Sequence, residues 1–325
     1  MRRRIRRDII IRGMLLLFFF FLVCIGGGVY LLDYALCPTA KGKDFRASNL
    51  EGSWQYLFEN YPYVKPWVDS LHQAKALKDT FIIASDSVRL HAFYATSPDT
   101  TANQTAVIVH GYTDNAIRML MIGYLYHHDL RYNILLPDLR YAGQSDGTHI
   151  QMGWNDRLDV LRWMEVANHI FGGNTQMVVH GISMGAATTM MLAGEPQQAY
   201  TKCFVEDCGY TSVWEQFSKE LNEQFHLPDF PLLYVASSLC KMRYGWDFQE
   251  ANALKQVRKC HLPMLFIHGD ADDYVPTWMV YEVYDVKPQP KELWVVPCAA
   301  HAASYHDNRE EYTSRIKAFT EKYLN

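Results

Sequence analysis

Beyond residue 80 the chain alternates short apolar runs with longer amphipathic segments, the pattern of strands and helices taken in turn. Strands are predicted at Phe81–Ala84, Val88–Thr96, Ala106–His110, Asn133–Pro137, Gln176–His180, Lys202–Glu206, Met264–His268 and Glu292–Val296. Helices are predicted between them at Asn115–His128, Trp154–Phe171, Met184–Gly194, Pro276–Tyr284 and Asn308–Tyr323. That succession builds an α/β domain, a mostly parallel eight-stranded sheet with helices on both faces. The N-terminus follows another rule. Gly13–Leu32 holds no charged residue, and about 20 apolar residues are what a helix needs to cross a bilayer. Arg2, Arg3, Arg4, Arg6, Arg7 and Arg12 precede it against a single Asp8, whereas the charges that follow are balanced. The arginine excess keeps the N-terminus cytoplasmic and the rest of the chain outside. A cleaved signal peptide is the competing reading, but its apolar core is usually only about 7–15 residues, and "YALCPTA" makes a poor cleavage site. The expected organisation is a basic segment over 1–12, a transmembrane anchor over 13–32, a tether with short helices over 33–79, and the α/β domain over 80–325.

Composition narrows the function. A chain of 325 residues, 49% hydrophobic, buries one large core. The net charge of -4, with Lys and Arg spread through the body of the chain, leaves no footprint for nucleic acid. The seven cysteines show no CxxC or Cys/His ligand spacing, so a structural zinc site is not expected, and Cys203 and Cys208 read as small core residues.

Three predicted strands end in His-Gly, at Gly111, Gly181 and Gly269. In a parallel sheet, ligands bind outside the carboxyl ends of the strands, so these three ends point to one shared site, with His110, His180 and His268 as hydrogen-bonded spacers. At the second end stands "GISMG". A strand, a tight turn and then a helix of small residues is the context that exposes a serine as nucleophile, here Ser183, and turns the next backbone N–H, that of Met184, toward a developing oxyanion. The serine needs a histidine to take its proton and a carboxylate to orient that histidine. In this architecture the order along the chain is serine, acid, histidine. His301 and His306 follow the last strand-end carboxylates, and His301 lies nearer the strand end. For the acid, "HGDADDYVP" offers Asp270, Asp272 and Asp273, with Asp272 best placed to reach back, and Asp207 stands in reserve at the end of an earlier strand. The second oxyanion donor comes from the turn "HGYTDN", at Tyr112, where Asp114 and Asn115 read as helix caps. Asp138 and Arg140 of "PDLRYAGQSDG" are expected to brace each other.

Taken together, the strand with HGY, "PDLRYAGQSDG", "GISMGAA", "EDCGYTS", "HGDADDYVP" and "AAHA" resemble the α/β-hydrolase superfamily. Within it they are similar to the branch of bacterial serine aminopeptidase-type and prolyl-oligopeptidase-like hydrolases, many of which carry an N-terminal membrane segment. The resemblance runs from about Thr80 to the C-terminus. It implies Ser183 as nucleophile, Asp272 as acid, His301 as base, and Tyr112 with Met184 as the oxyanion hole. Tyr141 and Ala142 depart from the Gly and His often found in relatives.

The stretch from about 211 to 256 is longer than a plain crossover, and the resemblance makes it a small cap over the serine. Its Phe225, Phe230, Leu232, Tyr234 and Trp246 either line a site for an acyl or aromatic group or simply pack, two readings the sequence supports equally. The expected function is hydrolysis of a carboxylic ester by a membrane-anchored serine hydrolase without metal or cofactor. Its partner is a small-molecule or peptide acyl substrate. A serine peptidase or amidase is the alternative within enzymes, and a non-catalytic binding protein on the same fold is the alternative from another class.

Overall fold

The computed structural model describes residues 2–38 and 49–324, so part of the expected tether, residues 39–48, lies outside the described residues. Eight strands form one sheet in the order β1-β2-β4-β3-β5-β6-β7-β8. They are β1 (Lys78–Ile83), β2 (Arg89–Ala95), β3 (Gln104–Val109), β4 (Asn133–Pro137), β5 (Gln176–Ile182), β6 (Thr201–Asp207), β7 (Met264–Gly269) and β8 (Lys291–Val296). Only β2 runs against its neighbours β1 and β4, and the remaining pairs are parallel. Every predicted strand is present, displaced at most a few residues at its ends. The central strands are buried along almost their whole length, because helices cover both faces, while the edge strand β1 alternates toward solvent.

Two apolar cores flank the sheet. One gathers Val107, Val179, Phe204 and Phe266 with the cap and the end of the first helix; the other gathers Ile108, Val178, Val205 and Ile267 with the C-terminal helix. The helices are α1 (Arg2–Leu36), α2 (Ser53–Asn60), α3 (Lys65–Gln73), α4 (Leu120–Tyr124), α5 (Asp156–Ile170), α6 (Met184–Ala193), α7 (Val213–Phe225), α8 (Leu232–Tyr244), α9 (Ala253–Val257), α10 (Trp278–Val286), α11 (Ser304–Asp307) and α12 (Arg309–Tyr323). The predicted helix at Asn115–His128 begins later than expected. The Asn115 carboxamide takes the Ile117 N–H, which holds the first residues in turns, and α4 runs on through a wider π turn at Leu125–Asp129.

Helix α1 is longer than the expected span. Its stretch Arg7–Leu36 is long and apolar enough to cross a membrane, a property a signal sequence shares. It does not hand over to a tether at Asp33. The helix continues because the cap and the loop before α5 support it: Arg243 Nη1 of the cap donates to Asp33 Oδ1 at 2.6 Å, and the Ile150 N–H of the loop donates to the Leu36 carbonyl at 2.8 Å.

The insertion between β6 and β7 is α7, α8 and α9. Ser212 caps α7 by accepting the Glu215 N–H at 3.1 Å, and the Glu215 side chain bonds back to Ser212, a reciprocal cap written into "TSVWE". The pairing expected between Asp138 and Arg140 is not made. Arg140 binds Asp159 and Asp86, while Asp138 takes the Ala116 N–H at 2.8 Å, the Gln144 N–H at 2.9 Å and His91 Nδ1 at 2.7 Å. Asp138 holds its own loop together, and Arg140 ties that loop to α5.

Candidate active site

The order β4-β3-β5 means that the chain leaves β3 toward one side of the sheet and leaves β5 toward the other. A crevice opens where such paths part, outside the carboxyl ends of the two strands. Ser183 stands at that point, between β5 and α6, with φ 57° and ψ -120°. This sparsely populated conformation costs of order 1–3 kcal/mol and is held because the surroundings allow no other path. The flanking glycines explain that constraint. A Cβ on Gly181 would lie 2.0 Å from the Gly185 carbonyl oxygen, and one on Gly185 would lie 2.1 Å from the Val109 carbonyl oxygen. Glycine at both positions lets the turn close against β3.

His301 follows β8 and Asp272 follows β7. Gly269 allows the two loops to meet, since a Cβ there would lie 2.0 Å from the Ala299 carbonyl oxygen. Asp270 fastens them by accepting the Cys298 N–H at 2.6 Å. The result is a line of three side chains from three strand ends: Ser183 Oγ is 2.8 Å from His301 Nε2, and His301 Nδ1 is 2.8 Å from Asp272 Oδ2. Asp272 is buried, and its other oxygen accepts the N–H groups of Tyr274 at 3.0 Å and Val275 at 2.8 Å. Burial alone would raise its pKa, but the hydrogen bonds from His268 and His301 outweigh it and hold the carboxyl at about 2. It therefore stays ionised at any working pH. A hydroxyl on a histidine that is itself held by a buried carboxylate can lose its proton to that histidine on attacking a carbonyl carbon.

Of the other residues singled out, Tyr112 and Met184 line the same cavity as Ser183. Met184 opens α6, where backbone N–H groups have no partner within the helix. Tyr112 follows Gly111, where a Cβ would lie 3.4 Å from that of Ser183, so this turn runs beside the serine. Asp273 offers its carbonyl to Lys219 Nζ and does not enter the line. His306 pairs with its neighbour Asp307 on the surface and does not join the line. The reserve acid Asp207 is taken elsewhere, by the Tyr312 hydroxyl at 2.9 Å and Ser304 Oγ at 3.3 Å. His110 bridges Gly111 O and the Leu139 N–H, and His180 sits between Tyr126 and Tyr312, both as spacers.

Two contacts were not foreseen. His268 is more than a spacer: its Nε2 faces the Val275 carbonyl at 2.8 Å and Asp272 Oδ2 at 3.2 Å, so Asp272 is held by two histidines. Its position directly after the buried run "MLFI" gave no sign of that second partner. Tyr274 sets its ring 5.0 Å from the His301 ring and covers it. Its place two residues after Asp272 was visible in "DADDYVP".

Cys208 Sγ, the Asp272 carboxylate and a His301 ring nitrogen lie within 4.8 Å of one another. The set suits a metal poorly, since the Asp272 oxygens are already filled and burial pushes the Cys208 thiol up, away from the thiolate a metal takes.

Behind the line, Glu206 on β6 is fully buried, and burial raises its pKa to about 8, with His268 and the Gly209 N–H only partly opposing. A group whose folded pKa lies above the unfolded value of 4.5 stabilises fully below that value, and the contribution is lost as pH rises through about 8. Glu206→Gln keeps an oxygen for the Gly209 N–H and removes the titration. The Tm of the unaltered protein should fall between about pH 5 and 9 more steeply than that of the variant; parallel Tm curves would refute the assignment.

The lining reading of the cap residues is largely corrected. Phe225 does face the cavity, but Phe230 is 72% and Tyr234 49% exposed, Trp246 is buried away from it, and Leu232 packs on α1. The apolar wall comes instead from Phe217, Leu221, Leu233 and Phe248 of the cap region and from the end of α1. The cavity measures about 780 Å³, within the range of small-ligand sites.

A family model described as the prolyl oligopeptidase family matches residues 145–325, more than half of the chain. The Bacillus subtilis protein YqkD, itself uncharacterized, is 32% identical over 226 residues, which cover 70% of this chain and 73% of that protein. Among solved structures, the Pyrococcus furiosus esterase Pf2001 superposes with a TM-score of 0.60 at 25% identity, over 77% of this chain and 92% of that one. The Pyrococcus horikoshii acylaminoacyl peptidase shares the fold at a TM-score of 0.56 and 17% identity, over 79% of this chain and 43% of that one. The sheet order, the glycine-flanked serine at the switch point and these matches agree, and the chain belongs to the prolyl oligopeptidase family as a serine α/β-hydrolase.

Proposed function

We propose that the protein is an anchored hydrolase that cleaves carboxylic esters through an acyl-enzyme on Ser183. The observation that carries this reading is the hydrogen-bonded line from Ser183 through His301 to Asp272. In it, His301 takes the Ser183 proton as Oγ bonds to the acyl carbon. The Tyr112 and Met184 N–H groups receive the oxyanion, and the proton passes to the leaving alkoxide as the ester C–O bond breaks. Water, deprotonated by His301, then attacks the acyl carbon and frees Ser183. Helix α1 stays on the mature chain as a single span, with the N-terminus cytoplasmic and the catalytic domain outside.

Esters are favoured over amino-terminal amides by the charges around the cavity. Its two lining carboxylates are both engaged with cations, Asp33 with Arg243 at 2.6 Å and Glu220 with Lys219 at 3.2 Å. Neither is free to hold a substrate amine. The Pyrococcus furiosus neighbour is an esterase and the Pyrococcus horikoshii one an acylaminoacyl peptidase, so the fold serves both chemistries. Matched pairs of acyl esters and aminoacyl amides decide between them. The esters should turn over faster, and an amide cleaved faster than its matched ester would make the protein a peptidase.

A further inference from the structure

We propose that the substrate is a long-chain acyl ester held in a bilayer, which reaches Ser183 along a wall made by the last turns of the membrane helix; the proposal rests on the ester reading above. Tyr30, Leu31, Tyr34 and Ala35 of α1 line the same cavity as Ser183. These turns are fixed to the catalytic domain. Gly27 and Gly28 lie so close to α8 that a Cβ on them would stand 2.8 Å from Leu232 and 2.6 Å from Val235. Above them the Tyr34 hydroxyl donates to Gln224 at 3.0 Å, and the Tyr112 hydroxyl donates to the Ala35 carbonyl at 2.8 Å. A residue of the proposed oxyanion hole thus leans on the apolar helix.

The level of this wall follows from helix geometry. The side chains from Ile9 to Val23 stand exposed and apolar apart from Arg12 and Gly13, as a lipid-facing surface requires. About 20 residues cover the hydrocarbon of a bilayer, and the cap packs on the helix from Gly27 and Gly28 onward, so the span is set from Ile9 to Gly28, four residues earlier than the uncharged stretch Gly13–Leu32. Arg12 then lies one turn inside the cytoplasmic end, from where its side chain snorkels to the surface. At about 1.5 Å per residue, Tyr30 lies within about 3 Å of that end and Pro38 about 15 Å beyond it, which is the headgroup zone. The stacked rings of Tyr30 and Tyr34, 6.1 Å apart, stand where tyrosines collect at membrane surfaces. The foot of the cap reaches the same level: Leu232 meets Gly27, and the exposed Phe230 comes just before it. A cavity with an apolar lining, walled by the span at headgroup depth, accepts an acyl chain without carrying it through water. In the reaction the acyl C–O bond breaks, and water supplies the hydroxyl to the fatty acid and the proton to the alcohol.

The test uses the full chain in phosphatidylcholine vesicles that contain 1-palmitoylglycerol, with 1-butyrylglycerol at equal concentration in the surrounding water. Palmitate release at least tenfold faster than butyrate release is expected. Gly28→Leu, which forces α1 away from α8, should cut the palmitate-to-butyrate ratio at least tenfold, and continued butyrate release shows that the variant has folded. Butyrate released as fast as palmitate leaves the ester reading standing and overturns the bilayer substrate. An unchanged ratio in Gly28→Leu overturns the role of the α1 wall. Failure to cleave either ester, with Ser183 still labelled by a fluorophosphonate, sinks the ester reading itself and the inference with it. Should Gly28→Leu not fold, the ratio in the unaltered protein decides alone.

Discussion

Ser183→Ala should lower ester turnover by at least about 10⁴-fold and abolish covalent labelling by a fluorophosphonate, with little change in Tm. The size follows from the chemistry, because without Oγ no acyl-enzyme forms, and only the N–H groups and the cavity remain to assist direct attack by water. The small effect on stability follows from the structure. Serine already occupies the strained turn at φ 57°, and its side chain makes one hydrogen bond, to His301. Alanine carries the same Cβ strain and loses only that bond. Equal labelling of the variant and the unaltered protein would remove Ser183 from the reaction.

Asp272→Asn should cost about 10⁴-fold in kcat with KM little altered, the scale expected when the orienting carboxylate of such a line becomes an amide. The two oxygens of Asp272 face different partners. One accepts the Tyr274 and Val275 N–H groups, and asparagine would keep its carbonyl oxygen there. Its NH₂ would then point at His301 Nδ1 and at the Nε2–H of His268, where Asp272 now accepts. His301 would be driven to carry its proton on Nε2, the nitrogen facing Ser183, and could not receive another. The donor set against His268 should also cost about 1–3 kcal/mol of stability. Steady-state kinetics beside a denaturant titration checks both effects. A kcat within tenfold of the unaltered protein would mean that another carboxylate serves, with Asp207 the next to examine.

Much of this was legible along the chain, for a local reason. Strand and helix periodicity is a property of neighbouring residues, so the eight strands appear near their predicted places. Ser183, Asp272 and His301 stand at strand ends whose order is set by the sheet. What the sequence hid depends on distant partners. Arg140 looked paired to Asp138, two residues away, but its partners Asp86 and Asp159 come from other segments. Phe230 and Tyr234 looked like lining because they are aromatic, yet the face a cap helix turns inward is decided by what packs on it, here α1. The last turns of α1 were hidden most completely. Their apolar residues satisfy a membrane and a pocket wall alike, and composition does not separate the two.

The division of labour between sheet and helices bears on how such an enzyme diversifies. Ser183, Asp272 and His301 each hang from a strand of one continuous hydrogen-bonded sheet, and the turn of Tyr112 comes from β3, joined to β5 by six registered pairs. The pocket walls hang instead from the cap insertion and from α1. Substitutions that reshape the walls leave the registered strands untouched, so the line of Ser183, His301 and Asp272 can persist while the groups that the cavity admits change.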